Sequence, residues 1–174
     1  MAAFGEEGSH QPHVVLHRGL DALEGQRVPV RIHSECMTGD VFASRRCDCG
    51  AQLVAALSHF REKGGVLIYL RQEGRGIGLV EKLRAYNLQD EGLDTFEANV
   101  ARGHTPDARD YGVAVQILEA LDVNSVGLLT NNPDKFKALK AAGLDVERVP
   151  VAVDSHEDNE AYLKAKADIM GHWL

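Results

Sequence analysis

Val126-Gly-Leu-Leu-Thr-Asn-Asn-Pro-Asp-Lys-Phe-Lys-Ala-Leu-Lys-Ala-Ala-Gly-Leu-Asp-Val-Glu-Arg-Val149 reads as a strand, a helix and a second strand in immediate succession. Val126 to Thr130 is a short apolar run of the kind a buried strand makes. Asn132 followed by Pro133 starts a helix by two rules: the Asn side chain can accept from first-turn amides, and proline suits the first helical position, where an N–H would have no intrahelical partner. That helix runs to Ala142 and ends at Gly143, and Val146 to Val149 is the returning strand. Such a βαβ unit has parallel strands joined by the helix. The class is therefore α/β or α+β.

Working outward, Val28 to His33 alternates apolar and polar residues, with Val28, Val30 and Ile32 on one side, as a half-buried strand does. Val14 to His17 and Val66 to Leu70 read as further strands, with a turn over Gly19 to Gln26. From Gly50 to Lys63 the residues Leu53, Ala56, Leu57 and Phe60 recur at helical spacing, and Gly64-Gly65 closes that helix. Helices are also expected over Leu79 to Leu88, over Asp107 to Leu121 with Asp107 as its cap, and over Asn159 to Met170. Asn87 to Pro106 reads as a long loop with a turn around Asp94-Thr95. Residues 1–12 lack periodicity and read as a flexible tail. The expectation is a mixed sheet with flanking helices in one compact domain over residues 13–174.

At 174 residues the chain suffices for one domain with a real core. Its 44% hydrophobic and 26% charged residues are those of a globular protein rather than a disordered one. With no apolar run of membrane-spanning length and no signal-peptide pattern at Met1, a cytoplasmic protein without a membrane partner is expected. A net charge of -7 argues against broad nucleic-acid binding, so any phosphate-bearing partner needs a local cationic pocket.

All three cysteines, Cys36, Cys47 and Cys49, fall between His33 and Cys49. They can converge on one tetrahedral ion if the chain loops back, and zinc is the ion such thiolates most often select. With no fourth cysteine, an open position is left for chemistry, unless His33 closes a structural Cys3His site. The plain alternative is three buried free thiols in a reducing compartment.

Glu73-Gly-Arg-Gly-Ile-Gly78 can cradle an anion on backbone amides ahead of a helix, with Arg75 able to bind phosphate. It is neither a P-loop nor a Rossmann fingerprint, and a plain glycine-rich connection is the competing reading. Asp107-Ala-Arg-Asp-Tyr111 places carboxylates, a guanidinium and a phenol within one turn, which taken alone reads first as helix capping and dipole chemistry and second as a pocket-facing pair. Thr130 to Lys135 lies where open α/β sheets bind ligands, though an Asn-Pro cap with an exposed lysine reads equally well. His33-Ser-Glu35 matches half of the zinc nucleobase-deaminase signature, but the Pro-Cys-x-x-Cys half is absent.

In order along the chain, Arg31-Ile-His-Ser-Glu-Cys36, Arg46-Cys-Asp-Cys-Gly50, Tyr69-Leu-Arg-Gln-Glu-Gly-Arg-Gly-Ile-Gly-Leu79, Arg84-Ala-Tyr86, Asp94-Thr95, Glu97-Ala-Asn99, Asp107 to Gly112 and Leu129-Thr-Asn-Asn-Pro133 resemble GTP cyclohydrolase II. Met170-Gly-His172 resembles the family's ending, and the likeness covers about residues 27–174. The resemblance implies a hydrolase taking GTP to formate, pyrophosphate and a diamino-ribosylamino-pyrimidinone phosphate at the start of riboflavin biosynthesis. It implies zinc on Cys36, Cys47 and Cys49, one ion per subunit, activating water toward guanine C8. It assigns Asp107 as proton acceptor, Tyr86 near the reacting base, and Arg109 as nucleophile toward the α-phosphate, with electrostatic stabilisation by the always-protonated guanidinium as the alternative. It implies GTP contacts at Arg31, Ile32, His33, Ser34, Glu35, Gln52, Glu73, Gly74, Arg75, Thr95, Thr130 and Lys135, magnesium with the triphosphate, and a homodimer.

The family usually carries more N-terminal strand ahead of the region matching Val14, which bears on a sheet edge or dimer contact. With no dihydroxybutanone phosphate synthase domain in the sequence, a monofunctional enzyme is expected. Two other functions compete: a silent nucleotide-binding module with a structural zinc, and a deaminase.

Overall fold

A computed structural model describes residues 1–5, 10–93, 95–105, 107, 109–151, 155–168 and 170–173, leaving aside the side chains of residues 95, 96, 99 and 161. In chain order the elements are β1 (Ala2–Phe4), β2 (His13–Arg18), β3 (Val28–Ser34), α1 (Met37–Asp40), α2 (Cys49–Lys63), β4 (Gly65–Leu70), α3 (Leu79–Asp90), α4 (Thr95–Ala101), α5 (Gly112–Ala120), β5 (Ser125–Leu129), α6 (Pro133–Ala141), β6 (Asp145–Val149) and α7 (Glu160–Asp168). The strands form one sheet in the order β1-β2-β4-β3-β5-β6, antiparallel at β1-β2 and β2-β4 and parallel at β3-β5 and β5-β6. The expected α/β class and mixed sheet with flanking helices are therefore what the chain forms. It packs as two compact units, the first Met1–His33, Gln52–Arg71 and Asp110–Ala152, the second Ser34–Ala51, Gln72–Arg109 and Val153–Leu174.

In the first unit the βαβ reading holds in detail. Ser125 pairs with Asp145 and Leu129 with Val149 in a parallel register. Asn132 caps α6, its Oδ1 accepting from Asp134 N at 2.8 Å, with Pro133 the first helical residue. Such a cap contributes about 1 kcal/mol. Val30, Ile32, Val66, Ile68, Leu70, Val126 and Leu128 pack with Ala114, Ile117 and Leu118 of α5 and Leu139 of α6 into one core. Each large aliphatic side chain so buried contributes roughly 1.5–3 kcal/mol.

Two expectations change in this unit. Within the stretch read as a tail, Ala2–Phe4 pairs antiparallel with residues from His13 to Val15. The β3 strand is not half-buried, because Arg31 and His33, on the opposite face from Ile32, are buried as well. Arg31 reaches that state by donating to the Leu129 carbonyl at 2.9 Å and to Gln52 Oε1, while the His33 ring stacks on Tyr69 at 5.5 Å.

The second unit is helical, with α3 against α4 and α4 against α7. The expected loop from Asn87 to Pro106 contains α4, whose Ala98 is fully buried, so a helix too short to show a helical repeat is fixed by packing rather than by periodicity. The expected helix from Asp107 begins only at Gly112. The Asp107 carboxylate accepts from the Arg109 backbone amide at 3.0 Å and from its guanidinium, a local bonding pattern that competes with helix initiation. No helix among the described residues is long and apolar enough to cross a membrane.

Gly65 opens β4 with φ +136°, and a Cβ there would run into the Pro29 carbonyl oxygen and lie 2.7 Å from a Phe60 ring carbon. Gly65→Ala is therefore expected to destabilise the protein by at least about 2 kcal/mol. Urea unfolding followed by circular dichroism checks this, and an unchanged midpoint would contradict it.

Candidate active site

Cys36 precedes α1, Cys49 is the first residue of α2, and the loop between them folds back so that the three sulfurs lie within 4.8 Å of one another. Two glycines permit the approach. A Cβ on Gly39 would fill the space among Cys47 Sγ, Cys36 Sγ and Cys49 Cβ at 3.1 to 3.3 Å, and one on Gly50 would strike the Gly39 carbonyl. The Cys36 to Cys47 sulfur separation is 3.7 Å. Tetrahedral zinc with bonds of about 2.3 Å sets sulfurs roughly 3.8 Å apart, so the cluster fits that ion.

Hydrogen bonds from Cys47 and Cys49 pull the Cys36 thiol far below its ordinary pKa against the opposing effect of burial, with the Lys82 ammonium adding to the pull. Cys47, which donates to Cys36, is pushed up to about 11. Cys49 is driven well up by its bonds to Cys36 and Cys47. The cluster thus favours a thiolate at Cys36 held among the two neighbouring thiols.

Around the thiols stands a second set of groups. Lys82 Nζ donates to Cys36 Sγ at 3.1 Å and to Glu73 Oε1 at 2.7 Å. Burial lowers the Lys82 pKa, but the Cys36 thiolate and the Glu73 carboxylate outweigh it and hold Lys82 as an ammonium. Glu73 accepts from Met37 N at 2.6 Å and Gly74 N at 2.7 Å, joining the start of α1 to the glycine turn. Arg75 in that turn sits at φ 61°, a conformation costing a non-glycine residue roughly 1–2 kcal/mol. The Tyr86 hydroxyl lies 3.4 Å from Thr38 Oγ1, itself 3.6 Å from Cys36 Sγ. Burial raises the Tyr86 pKa, keeping the phenol neutral at physiological pH.

Asp107 and Arg109 form a two-pronged pair, Arg109 Nε reaching Asp107 Oδ1 at 2.8 Å and Nη2 reaching Oδ2. Burial raises the Asp107 pKa, but the Arg109 hydrogen bonds and charge, with Arg75 beyond, bring it below the ordinary value.

The remaining expected residues fall as follows. In the first unit, Arg31 pairs with Gln52, and Thr130 Oγ1 accepts from Asn132 N at 3.0 Å. Lys135 is buried rather than exposed, donating to the Ile32 carbonyl at 2.8 Å over the Tyr111 ring. In the second, Glu35 is buried, and the Ser34 hydroxyl is buried with no hydrogen-bond partner among the described residues. Thr95 opens α4, and its side chain and Asp94 lie outside the described residues. Sequence reading missed Lys82 and Thr38. Lys82 and Tyr86 are four apart on α3 and so share a helix face, which was the available signal.

A mixed-sheet α/β protein with a three-thiol cluster suited to zinc is the class that these observations define. The family model for GTP cyclohydrolase II matches residues 1–150. The GTP cyclohydrolase-2 of Neisseria meningitidis is 54% identical over 171 residues, covering 97% of this chain and 86% of that protein. That of Neisseria gonorrhoeae is 53% identical with the same coverage. The riboflavin biosynthesis protein RibBA of Bacillus mycoides is 56% identical over 164 residues, 93% of this chain and 41% of that longer protein. The chain belongs to the GTP cyclohydrolase II family, a family of hydrolases.

Because the folded Asp107 pKa is depressed, its pairing with Arg109 contributes stability above the ordinary carboxylate pKa and loses it as pH falls through the lower folded value. Asp107→Asn should therefore cost about 1–3 kcal/mol at pH near 7, and the gap to the parent should close below a pH of about 3.9. Chemical denaturation of both proteins across that range measures the gap, and a pH-independent difference would refute the assignment.

Proposed function

We propose that the chain is a zinc-dependent GTP cyclohydrolase II, converting GTP to formate, pyrophosphate and the diamino-ribosylamino-pyrimidinone phosphate as the first step of riboflavin biosynthesis. The observation that carries this reading is the convergence of Cys36, Cys47 and Cys49 within 4.8 Å, on residues that match the family's cysteine motif. A zinc ion bound to these thiolates supplies Lewis-acid activation of water toward guanine C8.

The chain's own groups have the following tasks. Lys82 holds Cys36 as a thiolate and fixes Glu73 in the substrate turn. Tyr86, a neutral phenol, is available to hydrogen-bond the reacting base. Asp107 is ionised at neutral pH and accepts the proton released on attack. Arg109 is always protonated and its guanidinium is engaged in a two-pronged bond to Asp107, which supports electrostatic stabilisation of the phosphates over a covalent role. On the family match, Arg31, Ile32, His33, Gln52, Thr130 and Lys135 of the first unit, and Ser34, Glu35, Glu73, Gly74, Arg75 and Thr95 of the second, are the proposed GTP contacts. Magnesium bound with the triphosphate would offset its charge and that of the pyrophosphate leaving group. Residues 13–174 are proposed as the catalytic domain of a cytoplasmic homodimer without nucleic-acid or membrane partners.

Purified protein given GTP and magnesium should release formate and pyrophosphate, with about one zinc per chain on the same sample. Cys47→Ser should lose both zinc and turnover. Ammonia without formate would assign a deaminase, and neither product at stoichiometric zinc would sink the proposal.

A further inference from the structure

Asp48, between Cys47 and Cys49, has a side chain 1% exposed, and its Oδ1 accepts from Lys166 Nζ of α7 at 2.7 Å. Lys166 is itself 10% exposed at the side chain, and its ammonium lies 4.3 Å from the centre of the Tyr162 ring, one turn earlier on α7. A second tie lies alongside, from Arg45 Nε to Asp158 Oδ2 at 2.6 Å. Asn159 precedes α7 with its side chain accepting from His156 N at 2.9 Å, and His172 N donates back to the Lys166 carbonyl at 3.1 Å. Residues matched by the family model end before α7 begins, so Lys166 and Tyr162 lie outside that match while Asp48 lies within it.

A buried carboxylate within a turn that carries two thiols adds negative charge where anions already crowd. That is tolerable only if a cation is held against it. Lys166 supplies that cation, and Tyr162 restricts where its ammonium can sit. The side chain that orients the turn thus comes from the far end of the chain.

We infer that α7 is a clamp on the metal segment: Lys166, held by the Tyr162 ring, anchors Asp48 and so fixes the spacing of Cys47 and Cys49. Lys166 is a positioning residue, acting through Asp48. The inference rests on the reading that the three cysteines hold zinc. Since coupling is reciprocal, loss of Lys166 loosens the zinc, and loss of zinc loosens α7.

Two measurements on the zinc-loaded full chain test this. In the first, zinc release to a chromogenic chelator is timed at a temperature where circular dichroism shows every protein folded. Lys166→Met should release zinc about tenfold faster than the parent, the size typical of losing a group that orients a metal ligand. Lys166→Arg, which keeps the cation, should stay near the parent. Equal release by Lys166→Met and the parent, or equally fast release by both variants, would overturn the clamp. The second needs no variant and decides the matter if Lys166→Met does not fold. Trp173, the sole tryptophan, follows α7, so chelating the zinc from the parent should shift its emission and increase its quenching by acrylamide. Unchanged Trp173 fluorescence after complete zinc removal would overturn the coupling. Protein purified without zinc that takes up none when it is added would instead defeat the zinc reading itself.

Discussion

Three sulfurs confined within 4.8 Å cannot all be thiolates unless positive charge is placed among them. The second unit is arranged around that constraint. Lys82 brings one cation to Cys36, and a divalent ion with three thiolates would leave a single negative charge for that ammonium to balance. Glu73 then holds Lys82 in place and, through Met37 N and Gly74 N, joins the loop that carries Cys36 to the glycine turn. The same bonds that attend the thiolate set the backbone of the glycine turn.

The first unit meets a different demand. Its sheet core is aliphatic, yet β3 also buries Arg31 and His33, and the ends of β5 and α6 bury Thr130, Asn131, Asn132 and Lys135. Each buried polar group must find a partner, and several do so on backbone carbonyls. Arg31 uses Leu129, Lys135 uses Ile32 and Asn131 uses Val151. Polar side chains bonded to backbone in this way hold the strand ends rigidly. Rigid strand ends suit residues proposed to contact GTP.

Much of this architecture is legible in the order of residues alone. The βαβ unit can be read because its signals are local: an apolar run, an Asn-Pro start, a closing glycine and a second apolar run. Cysteine spacing points to a metal for the same reason. Where reading by residue pattern fails, a non-local or competing interaction prevails. Asp107 looks like a helix cap, but its carboxylate bonds Arg109, and the helix starts five residues later at Gly112. The α4 helix is hidden because Ala98 and its neighbours form no long apolar stripe. Lys135 passes for a surface lysine, since nothing adjacent in sequence announces the Ile32 carbonyl 103 residues away.

By itself, then, the sequence determined the fold class, the crowding of all three cysteines into one short segment, and the family. Each of these rests on side chains close together in the chain or on a run of motifs. Only the tertiary structure decided which charges attend the thiols. Lys82 meets Cys36 across 46 residues and Lys166 meets Asp48 across 118. Such pairs leave no periodicity or local spacing to read, because what brings them together is the packing of whole helices.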